Sequence, residues 1–120
     1  MLTIAAILLF ITGVAHSYLG ERYILIRLFK RDNLPTLFGG TDFTTGTLRF
    51  VWHLLTLVWW GIAALVMLAS GDQLQAGTVL RVFSIVALLS GLFPLCFTRG
   101  RHLSWIVFFA VAALLWLGSP

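Results

Sequence analysis

The fold is decided by residues 48–69, which read LRFVWHLLTLVWWGIAALVMLA. Apart from Arg49 and His53 near its start, this stretch carries no charged or strongly polar side chain beyond one threonine. The hydrocarbon core of a membrane is about 30 Å thick, and a helix needs about 20 apolar residues to cross it. The stretch therefore predicts a transmembrane helix.

Three further apolar stretches, 2–19, 79–97 and 103–117, resemble the first in composition. Of the 120 residues 60% are hydrophobic and only 10% charged, whereas about a quarter of the residues of a soluble domain are charged. Mean hydropathy is +1.01. The sequence predicts an all-α integral membrane protein with one domain, a four-transmembrane-helix bundle whose first two helices are joined by a long loop, 20–47.

Basic residues are concentrated at one end of the predicted bundle. Of the eight Lys and Arg residues, only Arg81 lies near the second connection, and the others flank the first or form the third. The positive-inside rule places that end in the cytoplasm, with both termini on the outer, periplasmic face of a bacterial inner membrane. Contact with anionic membrane lipids accounts for the net charge of +4, so no nucleic-acid partner is expected.

Three histidines, His16, His53 and His102, fall near this same end. At about 1.5 Å per residue, the first two lie within about 10 Å of basic residues at their helix ends, and the third follows Arg101 directly. Ionisable side chains close to hydrocarbon mark candidate functional sites. Imidazole and carboxylate ligands suit zinc or iron, so the histidines with Glu21 predict a metal site. Such a site could act as a Lewis acid on a membrane substrate, although the sequence leaves open whether the protein is an enzyme.

Helical spacing indicates which faces point inward. Residues three, four or seven apart lie on one side of a helix, and small or polar residues favour close contact between membrane helices. The predicted inward faces are Thr12, Gly13, His16, Ser17 and Gly20 on the first helix, Arg49, His53, Thr56 and Trp60 on the second, and Ser84, Ala87, Gly91, Pro94 and Thr98 on the third.

Each candidate ligand also has a structural interpretation. His16 and His53 can form buried hydrogen bonds to a neighbouring helix, and His102 can contact lipid headgroups. Glu21 can pair with nearby arginines, and Asp42 can cap a turn or a helix. Cys96 is the only cysteine, which excludes an internal disulfide, and it is either a further ligand or an apolar filler.

Two other functions remain open from the sequence. In one, two histidines ligate a b-type haem, with Arg49, Arg99 or Arg101 meeting its propionates and aromatic residues such as Trp60 packing against its ring. In the other, the chain is a small transporter or an accessory subunit without a cofactor. Its small-residue faces then bind partner helices. Separately, four helices with little polar surface predict a homo-oligomer.

The long first loop contains two predicted features. Residues 21–31 are amphipathic and either extend the first helix or lie among the headgroups. Thr47 is the predicted N-cap of the second helix. Of the tryptophans, Trp52 lies near a helix end where the interfacial aromatic belt explains it, while Trp59 and Trp60 lie near the membrane midplane.

Overall fold

The computed structural model describes all 120 residues, and its secondary structure is helical throughout. Four helices follow one another along the chain: α1 (Leu2–Leu28), α2 (Asp42–Ser70), α3 (Ala76–Phe97) and α4 (Ser104–Leu117). Within α1, a π-helical segment, Glu21–Leu25, interrupts the regular α-helix. The all-helical prediction is confirmed.

The helices pack in series as a flattened bundle. Contacts join α1 to α2, α2 to α3 and α3 to α4, and no contact joins α1 to α3 or to α4. The molecule measures 52 × 32 × 14 Å, so it is about one helix thick. Only 17 of the 120 residues are buried, which leaves both broad faces largely apolar and exposed.

Three of the helices, α1, α2 and α3, are long and apolar enough to cross a membrane. The fourth, α4, is apolar but has 14 residues and a length of about 21 Å, less than the roughly 30 Å of a hydrocarbon core. The predicted membrane-protein class is thus supported by three helices.

The end of α1, the start of α2 and the turn between α3 and α4 lie together. We call this region the basic end, because it holds every Lys and Arg except Arg81. At the opposite end, the C-terminal Pro120 packs beside Gly77 at the start of α3.

Helix boundaries near the first loop differ from the prediction. Of the two alternatives for residues 21–31, the structure has the extension of α1, which continues to Leu28. The second helix begins at Asp42 rather than near residue 48, so Thr47 lies inside α2 and its prediction as the N-cap is wrong. The first turns of α2 make contacts outside the helix, because Gly46 packs against the end of α3 and Thr44 Oγ1 donates to the Pro35 carbonyl at 2.8 Å.

Small residues let the helices approach closely. A Cβ on Gly20 would collide with the indole of Trp52, and one on Gly46 would collide with the carbonyl oxygen of Phe97. Small residues are expected at such close contacts between neighbouring membrane helices. The predicted inward face of α3 is confirmed, since all five of its members are buried: Ser84, Ala87, Gly91, Pro94 and Thr98.

A candidate polar site between the first two helices

Two polar stripes face each other where α1 packs on α2. Residues four apart share a side of a helix, which brings Gly13, Ser17 and Glu21 of α1 into line. The predicted inward face of α2 is confirmed, because each of its four members bonds to α1: Arg49, His53, Thr56 and Trp60. The interface therefore concentrates polar groups that lipid would not satisfy.

Glu21 and Arg49 form a two-pronged ion pair. Arg49 Nη2 lies 2.8 Å from Glu21 Oε1, and Arg49 Nε donates to Oε2 at 3.1 Å. The side chains are 29% and 32% exposed, so the pair sits at the margin of the packed interface. The Arg49 guanidinium also lies over the ring of Phe29, 4.9 Å from its centroid. This geometry fixes the carboxylate as an acceptor for a further donor.

His53 uses both of its ring nitrogens. Nε2 lies 3.0 Å from Glu21 Oε2, and Nδ1 lies 2.8 Å from Ser17 Oγ. The side chain is 17% exposed, and its ring stacks on Phe97 of α3 at 6.3 Å between centroids. The imidazole thus bridges a carboxylate and a hydroxyl of the neighbouring helix.

The polar contacts continue inward from His53. Ser17 Oγ lies 2.6 Å from Thr56 Oγ1, and Thr56 Oγ1 donates to the Gly13 carbonyl at 3.2 Å. We call this chain of groups the relay: Glu21, His53, Ser17, Thr56 and the carbonyl of Gly13. Each of its four hydrogen bonds joins α1 to α2, and it extends about 12 Å along the helix axis.

A π-helical turn begins at the outer end of the relay. The amide of Ile26 bonds to the carbonyl of Glu21, five residues earlier, and the π-helical segment covers Glu21–Leu25. Single π turns within α-helices occur frequently at functional sites. The helix is regular from His16 to Glu21, because the π-helical segment starts only at Glu21. The two side chains therefore lie on different sides of α1 and meet different partners.

His16 packs against two tryptophans of α2 and lies outside the relay. Its Nε2 donates to the Trp52 carbonyl at 3.1 Å, and its ring stacks on the Trp52 indole. Trp59 meets the same imidazole edge-on, at 5.1 Å between centroids. The prediction that His16 points towards a neighbouring helix is confirmed. Trp52, which we expected at the membrane–water boundary, instead forms the contact between α1 and α2.

His102 occupies a third environment, in the turn before α4. Its Nδ1 lies 2.8 Å from Ser104 Oγ, and its backbone amide donates to Thr98 Oγ1 at 3.0 Å. The ring packs against Phe43 and Phe50 of α2, at 5.9 and 4.9 Å between centroids. His102 therefore attaches the α3–α4 turn to the start of α2.

The four predicted metal ligands are thus divided among separate surroundings. Glu21 and His53 contact each other, whereas His16 and His102 have partners of their own. No group of three or more His, Cys, Asp or Glu side chains is placed to hold a metal ion. The zinc or iron site remains a prediction from sequence.

Two of the residues predicted to contact a haem, Arg49 and Trp60, have protein partners. Arg49 is paired with Glu21, and Trp60 Nε1 donates to the carbonyl of Phe10 at 3.2 Å while its indole stacks on the Phe10 ring. Cys96 is exposed near the end of α3.

Sequence reasoning placed Ser17 and Thr56 on the correct faces without assigning them a role. They are the hydroxyl groups that connect His53 to the interior of the helix pair. The signal was available in the spacing, because Thr56 lies three residues after His53 and Ser17 lies four residues before Glu21.

Comparison with protein-family models, with curated proteins and with solved structures gives no match for this chain. A functional assignment must therefore come from the chemistry of the relay.

Proposed function

We propose that the chain is a small proton-coupled membrane transporter and that the relay is its proton-binding site. Chains of acidic and histidine side chains within membrane helices serve as proton relays in transporters and pumps. The observation that carries the proposal is the position of His53, with one ring nitrogen against Glu21 and the other against Ser17.

A count of protons supports this assignment. The relay has four hydrogen bonds, and each needs one donated proton. A neutral His53 supplies one N–H, and Ser17 and Thr56 supply one O–H each, while the Glu21 carboxylate supplies none. Three protons cannot fill four bonds, but one additional proton on the imidazole fills all of them. His53 then donates outward to Glu21 and inward to Ser17, and the two hydroxyl groups pass the donation on to the Gly13 carbonyl.

The additional proton is coupled to helix packing. With a neutral His53, one of the four hydrogen bonds of the relay is lost, because two lone pairs face each other there. Helix α1 packs on α2 and on no other helix, so these contacts are central to its position. In the proposed mechanism, binding of a proton tightens the α1–α2 interface, and its release allows α1 to move.

The charged groups near His53 lie on α1 and on α2. Glu21 of α1 offers a negative charge, and Arg49 of the same helix as His53 holds that carboxylate in place. From α3 only the Phe97 ring meets the imidazole, while Arg99 and Arg101 lie farther out, in the cavity that Arg49 also lines. A protonated His53 would make Glu21 the shared partner of two cations.

The test is charge displacement on a solid-supported membrane after a rapid drop in pH, which detects proton binding without knowledge of the transported substrate. We expect a transient current in the wild type and its loss in His53→Gln, which can form hydrogen bonds but cannot take up a proton. His102→Gln is the matched control and should keep the current, because His102 lies outside the relay.

A wild type without a current, or a His53→Gln variant with an undiminished current, would overturn the proposal. Circular dichroism and size-exclusion profiles would show that each variant is folded. As an independent readout, ¹⁵N spectra of labelled histidines should show both ring nitrogens of His53 carrying hydrogen at acidic pH.

A further inference from the structure

A cavity of about 180 Å³ opens at the basic end, on the side of α2 that faces α3. The first turns of α2 form one wall through Asp42 and Thr45, and the α3–α4 turn forms the other through Arg99 and Arg101. Arg49 lines its floor. Since a water molecule occupies about 30 Å³ in the liquid, the space is sufficient for a group of several heavy atoms.

The unbalanced charge of this cavity is positive. Arg49 is already neutralised by Glu21, but the side chains of Arg99 and Arg101 form no ion pair and no hydrogen bond. The two positive charges of Arg99 and Arg101 and the one negative charge of Asp42 leave a net charge of +1. An anion with one negative charge would therefore balance the cavity, and guanidinium groups bind phosphate oxygens through paired hydrogen bonds.

The two free arginines are held by an ordered turn. The amide of Gly100 bonds to the Leu95 carbonyl at 2.9 Å, and Trp105 Nε1 donates to the Gly100 carbonyl at 3.1 Å. Arg99 has a φ of 53°, in the left-handed region that a non-glycine residue seldom adopts, so the turn directs this side chain at a cost in backbone energy. The Arg101 guanidinium lies over the Phe38 ring, 5.9 Å from its centroid.

We propose that this cavity binds a phosphate group carrying one net negative charge, as in the phosphodiester of an anionic lipid headgroup. The cavity lies where the long apolar helices α2 and α3 end, which is the level at which lipid phosphates lie beside a membrane protein. The cavity adjoins the relay through Arg49, which pairs with Glu21, but Arg99 and Arg101 lie outside the relay.

The test compares lipids retained by the full-length protein after extraction from nanodiscs that contain phosphatidylglycerol and phosphatidylcholine, measured by native mass spectrometry. Both lipids carry a phosphodiester, but the choline cation would be repelled by the arginines. We expect the wild type to retain phosphatidylglycerol preferentially and Arg99→Gln/Arg101→Gln to retain about tenfold less. The matched control Arg22→Gln/Arg27→Gln removes the same charge from the same end, outside the cavity, and should retain the lipid.

A second double variant distinguishes loss of the arginine contacts from misfolding. Arg99→Lys/Arg101→Lys keeps the charge and removes the fork of parallel donors, so it should retain an intermediate amount of phosphatidylglycerol. Equal loss in the Arg22/Arg27 control, or full retention in the Gln variant, would overturn the proposal.

Inorganic phosphate distinguishes the two sources of the anion. Its binding to the protein in nanodiscs of phosphatidylcholine alone can be followed by broadening of the ³¹P signal. One outcome is that inorganic phosphate binds the wild type but not Arg99→Gln/Arg101→Gln, while the wild type shows no preference for phosphatidylglycerol. This result would support the phosphate site and assign it to a soluble ligand. Absence of both the lipid preference and the phosphate signal would refute it.

Discussion

His16 and Trp52 are joined by two reciprocal hydrogen bonds across the α1–α2 interface. His16 Nε2 donates to the Trp52 carbonyl and Trp52 Nε1 donates to the His16 carbonyl, both at 3.1 Å. Their rings stack with centroids 4.6 Å apart and an interplanar angle of 2°. Backbone carbonyls accept but do not donate, so His16 Nε2 must carry hydrogen. The pair closes the interface beside the relay without being part of it.

We expect His16→Ala to reduce the free energy of unfolding by about 1–2 kcal/mol, because it removes one interhelical hydrogen bond and one aromatic stack. Trp52→Phe should be less severe, and a double-mutant cycle in mild detergent should give a coupling energy above about 0.5 kcal/mol. Thr12→Ala is the control, because Thr12, whose prediction as an inward-facing residue is wrong, is exposed and donates to the Leu8 carbonyl of its own helix. Additive effects would show that the two residues stabilise the interface independently.

The Glu21–Arg49 pair gives a second prediction. Glu21→Gln leaves the Arg49 cation without a counterion, and we expect a loss of about 1–2 kcal/mol, less than for a fully buried pair because both side chains are about one-third exposed. Glu21→Gln/Arg49→Met removes both charges and should recover most of this loss. Unfolding of the wild type, Glu21→Gln and Glu21→Gln/Arg49→Met would decide the matter, and a Glu21→Gln variant as stable as the wild type would show that the pair contributes little.

Close contact between α2 and α3 gives a third prediction. Gly46→Ala would place a Cβ against the carbonyl oxygen of Phe97, a backbone atom that cannot move alone, so we expect a loss of about 1–3 kcal/mol. Gly40→Ala is the matched control, because no atom lies within 4 Å of its added Cβ and its φ is not positive. Thermal unfolding measures both variants. Equal midpoints would mean that the helices can separate at Gly46 without cost.

Composition and periodicity predicted the helices and most of their inward faces. Arg49, His53 and Thr56 were placed on one face because the geometry of a helix is independent of its neighbours, and all three contact α1. The start of α2 at Asp42 was not predictable in the same way. The first turns of α2 pack through Gly46 against the end of α3, a contact that a local pattern does not contain.

The sequence also could not predict which helices are neighbours. Similar depth along the membrane normal suggested that His16, His53 and His102 converge, but convergence requires a closed bundle. In the serial arrangement, α1 meets α2 alone, so His16 reaches Trp52 and His102 reaches Phe43 and Phe50. The depth of a side chain in the membrane follows from its position along its helix. Its neighbours in the plane of the membrane depend on which helices pack together.

Orientation in the membrane is a fourth prediction. The basic residues place the first loop in the cytoplasm and the connection around residue 73 outside. In a Cys96→Ser background, Asp32→Cys should be protected from an impermeant thiol reagent in intact cells, and Gln73→Cys should react. The two sites are exposed in the folded protein, so protection reports the membrane side. The reverse labelling pattern would invert the topology.

Metal content distinguishes the relay from the metal site that the sequence predicts. Both ring nitrogens of His53 are engaged by Ser17 and Glu21, so a metal at this imidazole would have to displace one of these partners. We therefore expect elemental analysis of untagged protein to find much less than one zinc or iron per chain, and the visible spectrum to lack a Soret band. Near-stoichiometric metal that disappears in His53→Ala but persists in His102→Ala would instead assign Glu21 and His53 to a metal site. If the proton-dependent current survives removal of that metal by a chelator, the proton-binding role of the relay would stand.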